Sequence, residues 1–263
     1  MMLAAVEWHI VWHRIFHPDG IFARALWTTV YIAIAAQLIG IALGLVAALM
    51  RSSTVAPLRW LSGLYVLIFR GTPVLVQIYF IYFGVNILFG ITLIPTTLHL
   101  GLFNLDGAAF AGILALGINE GAYMREIIRA GIDSIDSGQM EAAKSLGMRY
   151  GLAMRRIVLP QAARVIVPPL GNEFNNMLKT TSLLFTIGVY EMFADAEIHY
   201  STSFLPVEYF GAVAFWYLVL TGVWTVIQAS IERRLAASER GDELSFRERL
   251  VAAWAPAGAF VKR

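Results

Sequence analysis

From about residue 24 onward, long apolar runs alternate with short polar ones, and the runs have the length of membrane spans. A helix needs about 20 predominantly apolar residues to cross about 30 Å of hydrocarbon. Residues 24–50 meet that length. They carry Gly40 and Gly44, a spacing that permits close helix approach or merely reflects tolerance of Gly in membrane helices. Arg51-Ser52-Ser53 ends this first span. Residues 57–70 place Leu58, Leu61, Leu64, Tyr65 and Ile68 on one side, with Arg59 and Ser62 off it. They read either as a helix along the inner surface or as the start of a kinked span. Thr72 then predicts an N-cap, with Pro73 at the first helical position of a second span over 72–89.

Residues 90–106 (with Pro95, His99, Gly101, Asn104 and Asp106) read as an outer loop, and 107–128 as a third span whose inner end is marked by Arg125 and Arg129. A fourth span runs from near 164 to near 189, kinked or delayed by Pro168-Pro169. Glu191, Asp195, Glu197 and Pro206 fall in a second outer loop, and 207–231 form a fifth span. The pattern predicts an all-α polytopic membrane protein with about five transmembrane helices.

Charge placement orients it. No Lys or Arg lies between Arg70 and Arg125, nor between Lys179 and Arg233. The positive-inside rule puts those two poor loops outside and the basic segments inside, with the N-terminus out and the C-terminus in. This divides the chain into an external or interfacial segment over 1–22, a membrane domain over 23–235 and a cytoplasmic tail over 236–263. In the first segment His9, His13 and His17 recur every four residues beside Trp8 and Trp12. One helical face carries all three imidazoles, which raises a metal site as one reading. An amphipathic helix at the interface is the reading preferred, and no metal site is assigned.

Composition narrows the function. The 263 residues are 58% hydrophobic with a mean hydropathy of +0.66, far from a typical soluble domain. There is no cysteine, so disulfides and thiolate metal sites are excluded. Glu7, His9, His13, Arg14 and His17 interrupt any signal-peptide core. No catalytic constellation, nucleic-acid motif or phosphate-binding Gly-x-x-x-x-Gly-Lys-Ser/Thr loop occurs, so ATP-driven transport would require a separate ATPase chain. No internal repeat suggests the inverted halves of secondary transporters.

Several polar groups fall inside the spans. Glu120 lies roughly 20 Å from the outer end of the third span at 1.5 Å per residue. A carboxyl at that depth must face protein or water, and is either a functional group or a structural hydrogen-bonding one. Gly117 and Gly121 beside it predict close packing. Gln77, Tyr123 and Asn119 are candidate neighbours. Asn172, Asn175, Asn176 and Lys179 recur near helical spacing in the fourth span with Glu173 alongside, facing a bundle interior or water-filled path or else pairing among neighbouring side chains.

Residues 141–160, EAAKSLGMRYGLAMRRIVLP, break the apolar pattern. Glu141, Lys144, Arg149, Arg155 and Arg156 would each cost roughly 2.5–3.5 kcal/mol at a bilayer centre, which places the stretch outside it. Asp136 and Gln139 have capping-box spacing, Glu141 is expected in the first turn, Gly147 as a bend, and a second helix from Tyr150 as ending at Pro160. Ala142, Ala143 and Leu146 form small apolar knobs suited to a groove in another protein.

Glu141-Ala142-Ala143, Gly147, Ile157 and Leu159-Pro160 resemble the EAA loop of ATP-binding-cassette importer permeases. The flanking Arg70-Gly71-Thr72-Pro73, Gly138-Gln139, Gln161-Ala162, Asn172-Glu173 and Lys179-Thr180-Thr181-Ser182-Leu183 resemble its polar-amino-acid branch. The resemblance covers about residues 25–235. It implies a type I importer permease in a bacterial inner membrane, pairing with an identical or similar permease. Two cytoplasmic ATPases would carry the ATP and Mg and dock on Glu141, Ala142, Ala143, Leu146 and Gly147, while an outer solute-binding protein delivers an amino acid. The rival reading is a self-sufficient transporter or channel using Glu120 for protons or cations.

Overall fold

A computed structural model describes residues 6–100 and 103–240. Residues 241–263 of the tail expected over 236–263, and Gly101, lie outside the described residues. In chain order the helices are α1 (Trp8–Phe16), α2 (Gly20–Arg51), α3 (Ala56–Gly71), α4 (Val74–Tyr79) and α5 (Val85–Phe89), the last two joined by a π-turn at Phe80–Gly84. A hairpin, β1 (Thr97–Leu100) with β2 (Phe103–Asp106), follows. Next come α6 (Gly107–Asp133), α7 (Ser137–Ser145), α8 (Tyr150–Ala153), a π-turn at Met154–Val158 and α9 (Leu159–Thr180). A 3-10 turn, Thr181–Ile187, leads to α10 (Met192–Ser203) and α11 (Pro206–Arg240).

Two helices qualify as spans by length and hydropathy alone, Gly20–Arg51 and Pro206–Leu235. A third is the pair Ala56–Gly71 and Val74–Phe89, bent by 107° at Gly71–Pro73. The remaining two spans, α6 and α9, are more polar: α6 lies inside the bundle, where its polar groups meet protein, whereas α9 keeps a partly exposed polar face. Nearly every position on α6 from Gly107 to Met124 is buried or half-buried.

The seam between α2 and α6 holds the bundle together. Buried α2 residues recur at Phe22, Ala25, Thr29, Ile32, Ala36, Gly40, Gly44 and Ala47, one face of a 3.6-residue helix. Glycine is required where the helices touch. A Cβ on Gly40 would lie 2.7 Å from the Glu120 Cβ, and one on Gly44 would lie 2.9 Å from the Arg125 backbone nitrogen. Small residues let the backbones approach, which is how membrane helices gain dispersion energy without a hydrophobic drive.

Several expectations change. Thr72 does not cap the second span: its hydroxyl donates to the Ile68 carbonyl at 2.8 Å, and Pro73 occupies the cap. The helix from Tyr150 does not stop at Pro160. The π-turn shifts the register, with the Leu159 N–H bonding the Met154 carbonyl, so the chain passes the missing proline donor and continues to Thr180. The third span extends to Asp133, beyond residue 128. Its Arg125 is buried, donating from Nε to the Ser62 Oγ at 3.3 Å and pairing with Glu126.

The segment expected as a second outer loop is largely the helix α10. Glu191, fully buried, caps it by accepting the Ala194 N–H at 2.9 Å, and it also accepts the Tyr217 hydroxyl at 2.8 Å. Buried Asp195 accepts Arg14 Nη1 at 3.3 Å and the Tyr190 hydroxyl at 2.6 Å. The N-terminal helix is tied to the same end: Val11 and Ile15 pack with Ala212, while Trp8, Trp12 and Phe16 remain exposed. His13 and His17 stand 5.7 Å apart and His9 lies against Glu7. Among the described residues no group of three or more ligating side chains converges on a metal position.

Candidate functional site: a buried carboxylate and an exposed knee

The polar stretch folds as a knee. Asp136 caps α7 by accepting the Gly138 N–H at 2.6 Å. Glu141 is the fifth residue of that helix rather than part of its first turn, so the cap and not the macrodipole is its local stabiliser. Gly147 has φ +79°, a left-handed conformation that costs an L side chain about 1–2 kcal/mol. Around it the Met148 N–H bonds the Ala143 carbonyl at 3.0 Å and the Gly147 N–H bonds the Lys144 carbonyl at 2.9 Å. These two bonds define a Schellman close, which satisfies the last carbonyls of α7 and turns the chain into α8. The three apolar knobs separate by burial. Ala143 is buried within the chain; Ala142 and Leu146 are exposed, Leu146 by 83%.

Glu120 lies inside the bundle, 5% exposed, against Gly40. Gln37 Nε2 donates to its Oε1 at 3.3 Å, and Glu173 is within its electrostatic reach. The Oε1 of Gln37 is itself buried without a hydrogen-bond partner, and so is Asn175 Oδ1. Gln37 was not anticipated from sequence: a lone glutamine in an apolar run carries no signal until α6 brings Glu120 beside it.

Gln77 and Asn119 do not turn toward Glu120. Gln77 Nε2 donates to the Phe69 carbonyl (3.0 Å), the Thr72 carbonyl (3.1 Å) and the Thr72 Oγ1 (2.8 Å). Asn119 Nδ2 donates to the Phe69 carbonyl at 2.9 Å and to Gln77 Oε1 at 3.0 Å. Together they satisfy the backbone freed where α3 breaks into α4, which explains two amides at membrane depth. Tyr123 faces Arg70, whose guanidinium lies 5.1 Å from its ring centre. On α9, Asn172, Asn176 and Lys179 are exposed and Glu173 half-buried, with Gln228 Nε2 donating to Asn172 Oδ1 at 3.3 Å. The stripe thus forms an open polar face on this chain, apart from the buried pair Gln37 and Glu120.

Residues 40–237 match the model of the family described as "Binding-protein-dependent transport system inner membrane component". Over 231 residues the chain is 39% identical to a probable amino-acid permease protein, YxeN, of Bacillus subtilis, covering 88% of this chain and 98% of the relative. It is 37% identical over 254 residues to the arginine transport system permease protein ArgU of Corynebacterium glutamicum, covering 93% and 77%. Among solved structures, an amino acid ABC transporter crystallised with histidines matches with TM-score 0.70 and 38% identity, over 81% of this chain and 94% of that one. The MetNI methionine ABC transporter, 15% identical with TM-score 0.64, shares the fold. The chain belongs to the family of binding-protein-dependent transport system inner membrane components.

Proposed function

We propose that this chain forms the membrane pathway of an ATP-driven amino-acid importer. The observation that carries the coupling role is the knee: α7 is anchored through Ala143 while Ala142 and Leu146 project, uncovered, beside a glycine bend. An exposed leucine next to an exposed alanine on a capped helix suits a groove in a partner, here a cytoplasmic ATPase holding ATP and Mg. ATP-driven closure of that partner would shift α7 and α8, and the continuous run from Tyr150 to Thr180 would carry the shift to the outer half. The relatives named for amino-acid transport support the substrate class. The basic end of the bundle then faces the cytoplasm, the N-terminus lies outside, and a solute-binding protein delivers substrate there.

The buried Glu120 carboxylate is the proposed partner of the substrate ammonium, because low dielectric strengthens a buried ion pair. The orphan carbonyl oxygen of Gln37 supplies a second acceptor. Tyr123 borders the path. The exposed face of Asn172, Glu173 and Asn176 meets a second permease copy or the water between the two. A self-sufficient transporter driven through Glu120 is the weaker reading, since the family match includes the knee.

The test is uptake by the complete transporter in proteoliposomes, with Glu120→Gln beside wild type. Glu120→Gln preserves size and hydrogen bonding and removes the charge. Uptake is expected to fall at least about tenfold, the value of 1.4 kcal/mol, with ATPase assembly intact. Wild-type rate and affinity would assign Glu120 a purely structural hydrogen bond.

A further inference from the structure

We propose that the groove between the basic end of α2 and the face of α3 binds one anionic glycerophospholipid. The groove has a volume of about 370 Å³ and is lined by Arg51, Arg59, Trp60, Gly63, Leu64 and Leu67. Its polarity is graded along α3. Two guanidiniums sit at the end of the span, an indole follows, and then a glycine opening bordered by leucines. That is the order of a phospholipid: phosphate, glycerol backbone, acyl chain.

The groove lies at the right depth. With 32 residues, α2 is about 48 Å long, so its terminal Arg51 reaches past a hydrocarbon layer of about 30 Å. Trp60, 80% exposed, marks the interface where indoles partition, and Leu67, 71% exposed, lies two turns deeper. Neither Arg51 nor Arg59 forms an ion pair with a carboxylate among the described residues. Arg59 is fixed from behind, donating from Nη1 to the Ser53 carbonyl at 3.1 Å and to the Thr54 carbonyl at 2.8 Å. Its remaining N–H groups are available to a phosphate, which guanidinium matches with paired hydrogen bonds. Gly63 supplies the opening: nothing lies within 4 Å of where its Cβ would be. The α3 helix is held to the bundle independently of any lipid. Ser62 Oγ donates to the Ala47 carbonyl at 2.7 Å, and the Tyr65 hydroxyl donates to the Ile118 carbonyl at 2.6 Å.

Charge selects the occupant. Two unpaired cations beside an apolar channel favour an anionic diacyl lipid over a zwitterionic one, and over a second protein surface without acidic groups. Basic pockets between spans are where such headgroups bind. The bound lipid would brace α3, whose far end is the break at Gly71–Pro73.

The experiment is native mass spectrometry of the complete transporter from nanodiscs of mixed phosphatidylglycerol and phosphatidylcholine. Wild type is expected to retain one tightly bound phosphatidylglycerol per copy of this chain, in preference to phosphatidylcholine. Arg51→Gln with Arg59→Gln should weaken that retention about thirtyfold, at about fivefold per charge. Gly63→Leu keeps both cations and fills the channel, so it should also lose the lipid while the complex stays assembled. Free glycerol 3-phosphate should not displace the lipid, which separates a lipid site from a phosphate site. Equal retention of the two lipids, unchanged retention in both variants, displacement by glycerol 3-phosphate, or cross-linking of Trp60→Cys to a second copy of the chain would each overturn the proposal.

Discussion

The seam between α2 and α6 and the knee between α7 and α8 both depend on glycine, for opposite reasons. In the seam, the space a side chain would take is already occupied, at Gly40 by the Glu120 side chain and at Gly44 by the Met124 Cβ and the Arg125 backbone nitrogen. At the knee, nothing lies within 4 Å of a Cβ on Gly147, and glycine is needed only for the φ of +79°. One glycine is set by packing inside the chain, the other by the path of a backbone that projects from it. The seam therefore carries stability and the knee carries a surface. Burial follows the same division: the seam is buried along its length, whereas Ala142 and Leu146 are exposed among the described residues.

That contrast predicts different failures. The largest loss of folded protein is expected for Gly44→Leu, which forces a side chain against Met124 and the Arg125 backbone. Overpacking of this kind costs about 3 kcal/mol, enough to remove most of the protein from the membrane fraction. A wild-type yield and melting temperature would show that the seam separates without penalty. Gly147→Val is expected to cost less stability, about 1–2 kcal/mol for the left-handed residue, and to leave the protein in the membrane. Transport should nonetheless be lost, because α7 and α8 no longer meet at the same angle. Normal uptake with normal ATPase stimulation by Gly147→Val would remove the knee from the coupling path.

The smallest effect belongs to a helix cap. Asp19 accepts the Phe22 N–H at 2.7 Å and the Ile21 N–H at 3.0 Å, and the Phe22 bond, aided by Arg14, holds its carboxyl below the ordinary range. A depressed carboxylate stabilises the fold fully above its unfolded pKa, and that contribution is lost as pH falls through the folded one. Asp19→Ala should thus cost about 1 kcal/mol at neutral pH. The difference from wild type should shrink below about pH 4, read from melting temperatures in detergent. A difference independent of pH would assign the loss to packing instead.

Much of this was legible in the sequence where the physics is local. Glycine spacing announced close packing in the first span, Asp136 announced a cap, and Gly147 a bend. What stayed hidden depends on partners distant along the chain. The segment holding Glu191, Asp195, Glu197 and Pro206 reads as an outer loop because it breaks the apolar pattern. Most of it, Met192–Ser203, forms a helix because Thr29, Arg14 and Tyr217 from three other elements satisfy the buried carboxylates. Gln77 and Asn119 looked like pathway groups for the same reason, and their targets are the carbonyls of a broken span. Pro160 looked like a stop, and a π-turn, which has no simple residue signature, carries the helix past it.

On the proposed function, the exposed tip of α7 is where a cytoplasmic ATPase would drive this chain. The most direct measurement is ATP-driven amino-acid uptake by the reconstituted transporter carrying Leu146→Asp, alongside its melting temperature. Leu146 touches little within its own chain, so the melting temperature should match wild type while uptake falls at least about tenfold, or 1.4 kcal/mol of lost interface stabilisation. Wild-type uptake with a charge at position 146 would contradict the account and require the ATPase to dock elsewhere.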